Sequence, residues 1–107
     1  MKSHEVVAVM RYKKLLEKEP ENSNERIASA THYLMIKNGT SADELTQVLG
    51  ASSAHYVQHR KLRHGHFKVS DLDKMGEFWD IHPAEFVYGY EALAEADAEA
   101  EKEEEHG

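Results

Sequence analysis

Residues 40–50 read Thr-Ser-Ala-Asp-Glu-Leu-Thr-Gln-Val-Leu-Gly, and this stretch decides the fold predicted for the 107-residue chain. A hydroxyl residue followed three positions later by an acid is typical of a helix start, and Thr40 and Ser41 both fit that capping position. Gly50 can adopt a positive φ without steric strain, so it suits a tight corner after this helix. The stretch therefore predicts a helix of about two turns that ends in a sharp turn.

A second short helix is expected to pack on the first one across this turn. Such a crossing needs apolar residues on the inner face of the first helix, which Leu45 and Leu49 supply. It also needs a small residue at the crossing point, which is Thr46. We expect Tyr56 or Val57 to be the apolar anchor of the second helix.

Short helices are also predicted on both sides of this pair. Residues 22–38 open with Asn22 or Ser23 as the cap and carry apolar side chains at three- and four-residue steps, and Asn38-Gly39 stops the pattern. Capping residues, glycine and proline mark the other helix ends: Ser52 or Ser53, Gly65, Ser70 and His82-Pro83. Four aromatic side chains are expected in the core, the alternative being a stripe that serves a partner helix: Phe78, Trp79, Phe86 and Tyr88. The predicted fold class is all-α, with about five helices.

Two terminal segments flank the predicted domain of residues 22–90. Residues 1–20 form an extra helix or a short strand, whose apolar side chains serve either as a dimer contact or as a surface docked on the same domain. Residues 91–107 are mainly Ala and Glu without an apolar stripe, so we expect a frayed helix or disorder there. This acidic tail either keeps the protein in solution or binds a protein partner.

Charge is unevenly distributed along the chain, whose formal net charge is −7. Residues 91–107 contain eight acids and one base, whereas the preceding residues contain twelve of each. No acid occurs between Glu44 and Asp71. This acid-free interval carries four fixed cations and four histidines: Arg60, Lys61, Arg63, Lys68, His55, His59, His64 and His66. A neutral domain with such a basic patch can bind a polyanion, because the local potential governs contact with phosphate.

Several function classes are disfavoured by what the sequence lacks. Without cysteine, the chain has no disulfide, thiolate zinc site or thiol nucleophile. No apolar run reaches the roughly 20 residues that span a bilayer, and residues 1–10 do not resemble a signal peptide, so we expect a cytoplasmic protein without membrane contact. A glycine-rich phosphate loop, a nucleophile elbow and paired catalytic carboxylates are all missing, so we do not expect an enzyme.

Residues 40–52 resemble the helix-turn-helix of the Cro/lambda-repressor-type (XRE) DNA-binding family, which typically has threonine or serine, polar residues and then Leu-Ala-x-x-Leu-Gly-Val-Ser. Residues 67–76 and 81–87 are similar to the fourth and fifth helices of that domain, and they resemble regulators from actinobacteria and their phages. The resemblance covers residues 24–88. It implies a five-helix DNA-binding domain, often dimeric, that represses or activates promoters.

The chain departs from the family pattern at several positions. Thr46 stands where the family usually has alanine, and Ala51 where it usually has valine, and both are tolerable in size. Residues 52–65 are about two or three residues longer than the second helix and loop typical of the family. Val57 and Leu62 are five positions apart, which is not a regular helical step. The positions of the second helix that face DNA are therefore predicted only to within about one residue.

The second helix is expected to lie in the major groove of DNA, and the resemblance divides the surrounding residues by the part of the duplex they contact. Residues at the start and on the outer face of this helix are expected to contact base edges: Ser53, His55, Gln58 and His59. Ser52, in the same turn, is expected to contact DNA as well. Cations, and hydroxyls at the start of the first helix, are expected to contact phosphate: Arg60, Lys61, Arg63, Lys68, Thr40 and Ser41. An ordinary solvated side chain is the alternative for each of them.

The histidines can be considered as metal ligands or as proton-binding groups. His55 and His59 are four positions apart and share a helix face, as metal ligands do. The sequence offers no evident third ligand and no carboxylate partner, so we expect neither a metal nor another cofactor. Partly protonated histidines beside phosphate would instead strengthen DNA binding as the pH falls toward about 6.5.

The sequence thus predicts a DNA-binding transcriptional regulator, a repressor or Cro-like protein of phage or mobile-element type. It would bind a roughly palindromic double-stranded DNA operator as a homodimer. The alternative is a protein-interaction module, such as an antitoxin or an antirepressor, that uses the same helical fold and the acidic tail to bind a protein partner.

Overall fold

The structure is a computed structural model that describes residues 19–61, 63 and 65–106, with side chains described through residue 100. This part of the chain is all-helical and contains six helices: α1 (Ser23–Asn38), α2 (Ala42–Leu49), α3 (His55–Lys61), α4 (Val69–Trp79), α5 (Glu85–Tyr88) and α6 (Tyr90–His106). The predicted all-α class is confirmed for these residues. The helix or strand and the dimer contact expected in residues 1–20 fall almost entirely on residues 1–18, outside the described residues. No helix among the described residues combines the length and apolarity needed to cross a bilayer.

Helix α1 lies at the centre of the bundle and contacts α3, α5 and α6. It begins where the sequence predicts, because the Asn22 side chain accepts a hydrogen bond from the Glu25 backbone N–H at 2.9 Å. It ends at Gly39, whose φ of 66° is in the left-handed region. The core brings apolar residues of α1 together with those of the other helices: Ala30, Tyr33, Leu34, Met35, Leu45, Leu49, Val57, Phe67, Leu72, Met75, Phe86, Tyr90, Leu93 and Ala94.

Helices α2 and α3 are joined by the turn 50–54 and contact each other. Of the two possible caps for α2, the structure selects Ser41, whose side chain accepts from the Glu44 backbone N–H while the Glu44 carboxylate accepts from the Ser41 N–H. Gly50 has a φ of 70°, as the corner requires, and its N–H donates to the Gln47 carbonyl at 3.2 Å. Leu45 and Val57 are both fully buried, which confirms one apolar anchor on each helix.

The predicted bounds of α3 are wrong at both ends. The helix begins at His55, so Ser52 and Ser53 lie in the preceding turn. It ends at Lys61, and Arg63 has a left-handed backbone, with a φ of 72°. Gly65, the predicted terminator, has no positive φ. The conformation of Arg63 is held by its own contacts, because its N–H donates to the Arg60 carbonyl at 3.0 Å and its guanidinium lies 3.6 Å from the Glu25 carboxylate.

The next two helix starts also differ from the predicted positions. Helix α4 begins at Val69 rather than after Ser70, because the Asp71 carboxylate accepts a hydrogen bond from the Lys68 N–H at 3.0 Å. Helix α5 begins at Glu85, and Pro83 lies in the turn before it instead of at the first helical position. In that turn the Pro83 carbonyl accepts from the Phe86 N–H.

Two of the four aromatic side chains expected in the core are exposed. Phe86 is fully buried and Trp79 is half-buried, but Phe78 is 42% exposed and Tyr88 is 67% exposed. Helix α4 buries the stripe through Met75 and Trp79, four residues apart, and Phe78 lies to one side of it. Tyr88 is two positions from Phe86 in a four-residue helix, so the two side chains point in different directions.

The segment after residue 90 is a helix, and it has a buried face that the sequence analysis did not predict. Helix α6 runs from Tyr90 to His106, and Tyr90, Leu93 and Ala94 are buried against the core. These residues and Asp97 follow three- and four-residue steps, so they form one face of the helix. Asp97 forms an ion pair with Lys37 of α1. The segment therefore combines a core-packing face with an acidic face.

The burial of Leu93 generates a test of this packing. Leu93→Ala is expected to lower the free energy of unfolding by about 2–4 kcal/mol, because a buried leucine leaves a cavity when it is truncated. Urea denaturation followed by circular dichroism measures the change. The control is Glu95→Ala on the exposed side of the same helix, which should change the free energy by less than about 0.5 kcal/mol. Equal stability of the two variants would place Leu93 outside the core.

Candidate nucleic-acid interface

The side of α3 that faces away from the core carries three polar side chains. Val57 is fully buried, whereas His55 and Gln58 are exposed and His59 is half-buried. Gln58 and His59 lie three and four positions after His55, which places these three residues on one face of the helix, and we name them the α3 face. The imidazole rings of His55 and His59 lie 5.2 Å apart between centroids. This face presents hydrogen-bonding groups, and no acid lies within α3.

A groove beside this face connects α3 to the beginning of α2. It lies between α1, α2 and α3 and is lined by residues that include Ser41, Gln58 and Lys61. Ser41 is exposed, and its hydroxyl caps α2. Thr40 is different, because it is buried and its hydroxyl accepts from the Trp79 indole N–H at 3.4 Å. The structure thus brings Ser41 and the α3 residues together, while the Thr40 hydroxyl contacts the interior.

Arg60 is bound within the chain by several contacts. Its Nε donates to the His66 carbonyl at 3.0 Å and its Nη1 donates to the Tyr56 carbonyl at 3.1 Å. Its guanidinium carbon lies 3.5 Å from the centroid of the Tyr56 ring, at cation–π distance. Arg60 therefore connects α3 to the loop that follows it. Arg63, through Glu25, connects the same loop to α1.

Lys61 and Lys68 have fewer contacts within the described chain. Lys61 is half-buried in the groove, and Lys68 is exposed, with its ammonium 5.9 Å from the centroid of the Tyr56 ring. Phosphate contact by the four predicted cations stays a prediction. The side chains of Arg60 and Arg63 make contacts that hold the chain together, whereas the side chains of Lys61 and Lys68 make fewer such contacts within the described chain.

A buried carboxylate positions α3 relative to α4. Asp71 is 3% exposed and accepts hydrogen bonds from the Tyr56 hydroxyl at 2.5 Å and the Lys68 N–H at 3.0 Å. Desolvation, followed by the hydrogen bond to Asp71, raises the pKa of the Tyr56 hydroxyl above its ordinary value. The Lys74 ammonium donates to the Leu49 carbonyl at 3.1 Å, so α4 also holds the end of α2. The sequence analysis did not identify these contacts, because they join residues far apart in the chain.

A second cleft lies beneath the turn between α2 and α3. It includes Ser52, Lys68, Ser70 and Lys74, with Asp71 among its lining residues. Ser53 is exposed in the same turn. All the predicted site residues therefore lie on α3, on its flanking turns or at the start of α2, and Thr40 lines the groove with its hydroxyl bound to Trp79.

His32 is a site residue that the sequence analysis missed. It lies on α1, lines the same groove as Gln58 and Lys61, and is half-buried. Burial, followed by the positive charges of Lys61 and Arg63, lowers the pKa of His32 from 6.5 to about 4. The only sequence signal was its position between Thr31 and Tyr33 in a helix with a buried face. His32 is therefore neutral at pH 7.

Among the described residues, no group of three or more His, Asp or Glu side chains converges in a way that could hold a metal ion.

Comparison with known proteins does not assign a family to this chain. No protein-family model, no curated protein and no solved structure matches it at a significant level. The geometry of the described residues therefore carries the functional argument.

The lowered pKa of His32 predicts a pH dependence of stability. Between pH 6.5 and about 4 the unfolded chain binds a proton at His32 that the folded chain does not, so the free energy of unfolding falls as the pH falls through this window. His32→Gln should flatten this decline relative to the unmodified protein. Urea denaturation at a series of pH values from 7 to 4 measures the decline in the free energy of unfolding. This range spans the pKa of His32 in the unfolded chain, 6.5, and in the folded chain, about 4.

His66→Gln is the matched control, because His66 is exposed and lies outside the groove. It should leave the decline in place. A His32→Gln profile that runs parallel to that of the unmodified protein between pH 6.5 and 4 would contradict the assignment.

Proposed function

We propose that the protein is a sequence-specific DNA-binding transcriptional regulator of repressor or Cro-like type, and not an enzyme. In this proposal α2 and α3 act as a helix-turn-helix, with α3 lying in the major groove of an operator. The observation that carries the proposal is the α3 face: Val57 buries one side of the helix, and His55 and Gln58 are exposed on the other. A short helix held firmly on one side and polar on the other suits the reading of base edges.

The surroundings of α3 support the same function. Ser41 and Lys61 lie in the groove on one side of the helix, and Lys68 and Lys74 lie in the cleft beneath the turn. Lysine side chains and the start of a helix both favour phosphate, so these two sites would hold the sugar-phosphate backbone on either side of the α3 face. No acid lies between Glu44 and Asp71, and the Asp71 carboxylate is buried and hydrogen-bonded.

The proposal includes a symmetric homodimer. One recognition helix covers only a few base pairs, so a homodimer on a roughly palindromic operator would supply the remaining contacts. The acidic side of α6, with exposed Glu91, Glu95 and Glu99, would repel DNA that approaches in other orientations.

A protein-interaction module of antitoxin or antirepressor type is the second candidate. It is favoured by the exposed Phe78 and Tyr88, since large aromatic side chains on a surface are enriched in protein interfaces. The acidic side of α6 would then face a basic partner. The two candidates differ in how binding responds to salt and to base sequence.

The test begins by selecting preferred duplexes from random DNA and measuring their affinity by fluorescence anisotropy. Gln58→Ala should cost about 1–3 kcal/mol on the selected duplex and relax the preference at one base pair, because it removes a contact to a base edge. Gln47→Ala is the matched control, since Gln47 is exposed on α2 and does not line the groove. It should leave the preference unchanged.

Salt dependence provides the second arm of the experiment. Lys61→Ala should weaken binding on every sequence and reduce the slope of log affinity against log salt by about one. The control Lys37→Ala removes a lysine that pairs with Asp97 of α6, and it should leave the slope unchanged. Failure to select any preferred duplex would overturn the proposal, as would equal effects of Gln58→Ala and Gln47→Ala.

A further inference from the structure

We propose that Tyr56 is a positioning residue for base reading, and that its hydrogen bond to Asp71 sets the rotation of α3 about its axis and so the place of Gln58. The inference rests on the proposed function, in which Gln58 contacts a base edge. Tyr56 itself needs no contact with DNA in this role, because its hydroxyl acts through the orientation of the helix.

Helix α3 is too short to fix its own orientation. It has seven residues, and a helix of that length depends on tertiary packing. It packs on α1 and α2, with Val57 fully buried. Apolar burial is non-directional, so the Val57 contact holds α3 against the core but constrains its rotation only loosely. A directional contact is needed to fix which side chains face outward.

The hydrogen bond between Tyr56 and Asp71 is a contact of this kind. The Tyr56 hydroxyl donates to Asp71 Oδ2 at 2.5 Å, and Asp71 is 3% exposed. The same oxygen accepts from the Lys68 N–H at 3.0 Å, so the start of α4 fixes the acceptor. Because the Lys74 ammonium donates to the Leu49 carbonyl, α4 is in turn held on α2. A hydrogen bond to a carboxylate is also stronger than one between neutral groups.

One face of the Tyr56 ring is covered by Arg60. The guanidinium carbon lies 3.5 Å from the ring centroid, and the guanidinium donates to the Tyr56 and His66 carbonyls. These contacts limit how far the ring can turn away from Asp71. Desolvation and the bond to Asp71 raise the pKa of the Tyr56 hydroxyl, so this group stays a protonated donor at pH 7.

The position of Gln58 on the helix links it to this bond. Successive residues of an α-helix are about 100° apart, so Gln58 lies on nearly the opposite side of α3 from Tyr56. Gln58 is exposed and Tyr56 is half-buried, in agreement with this geometry. A rotation of α3 that displaces Tyr56 therefore moves the Gln58 amide sideways as well. Hydrogen bonds weaken steeply outside a narrow range of distance and angle, so a small rotation would lose a contact to a base edge.

Tyr56→Phe is the decisive variant, because it removes the hydroxyl and keeps the ring that packs against Arg60. Fluorescence anisotropy measures the affinity of the full-length chain for the selected duplex and for random DNA. The variant should lower the ratio of these affinities by about tenfold, which is the worth of one base contact. The slope of log affinity against log salt should stay unchanged, because no phosphate contact is removed. Tyr88→Phe is the matched control on α5, where Tyr88 is 67% exposed, and it should change neither quantity.

A double-mutant cycle with Gln58→Ala separates positioning from a general loss of stability. In the unmodified protein, Gln58→Ala should lower the affinity for the selected duplex by about tenfold or more. In the Tyr56→Phe background the amide is already misplaced, so the same change should cost less than about threefold. Asp71→Asn keeps an oxygen that accepts from the Tyr56 hydroxyl, and it should retain most of the base preference. Circular dichroism checks that every variant is folded under the conditions of the binding measurement.

The outcomes separate this inference from the proposed function. If a preferred duplex is selected but the effects of Tyr56→Phe and Gln58→Ala simply add, the positioning role is overturned and the proposed function stands. An unchanged base preference in Tyr56→Phe has the same meaning. Failure to select any preferred duplex with the unmodified protein overturns both, and it is seen before a variant is measured.

Discussion

The left-handed backbone at Gly50 is the constraint on which the rest of the surface depends. A residue with a Cβ atom at a φ of 70° would cost about 1–2 kcal/mol, so glycine makes this corner possible at low strain. Three hydrogen bonds then hold the corner. The Gly50 and Ala51 N–H groups donate to carbonyls of α2, and Lys74 of α4 donates to the Leu49 carbonyl. Because the corner sets where α3 starts, it also sets which α3 side chains face the core and which face solvent.

Polar groups in the interior fix the far side of α3. The Asp71 carboxylate accepts from both the Tyr56 hydroxyl and the Lys68 N–H just before α4, and a buried polar group of this kind is stabilising only when its hydrogen bonds are made. Arg60 covers the other side of the Tyr56 ring. Aromatic, carboxylate and guanidinium groups thus join α3, its following loop and α4 into one unit. A rigid support of this kind is what a helix needs in order to present side chains in a fixed geometry.

Helix α6 shows how one segment can serve the core and carry the excess charge. Its first turns contribute Tyr90, Leu93 and Ala94 to the core, and its exposed positions carry glutamates. The negative charge of the chain is therefore anchored to the domain at α6 and lies outside the acid-free interval around α3. A net charge of −7 would by itself disfavour the binding of a polyanion. The acids of α6, however, lie in a different part of the chain from the acid-free interval around α3.

Local signals were sufficient for the all-α class, for most of α1, and for α2 with its glycine corner. Caps, helical periodicity and glycine act within a few residues. The residues nearby in the sequence were therefore enough to identify Asn22 and Ser41 as helix caps and Gly50 as the corner. The bounds of α3, the exposure of Phe78 and Tyr88, and the burial of Leu93 required the tertiary structure. Each depends on a partner distant in the chain: Glu25 holds Arg63, and the α1 surface buries Leu93. The same distinction applies to the candidate site. The sequence showed which polar residues cluster around α3. Only the tertiary packing decided that the Thr40 hydroxyl contacts Trp79 and that Arg60 lies over the Tyr56 ring.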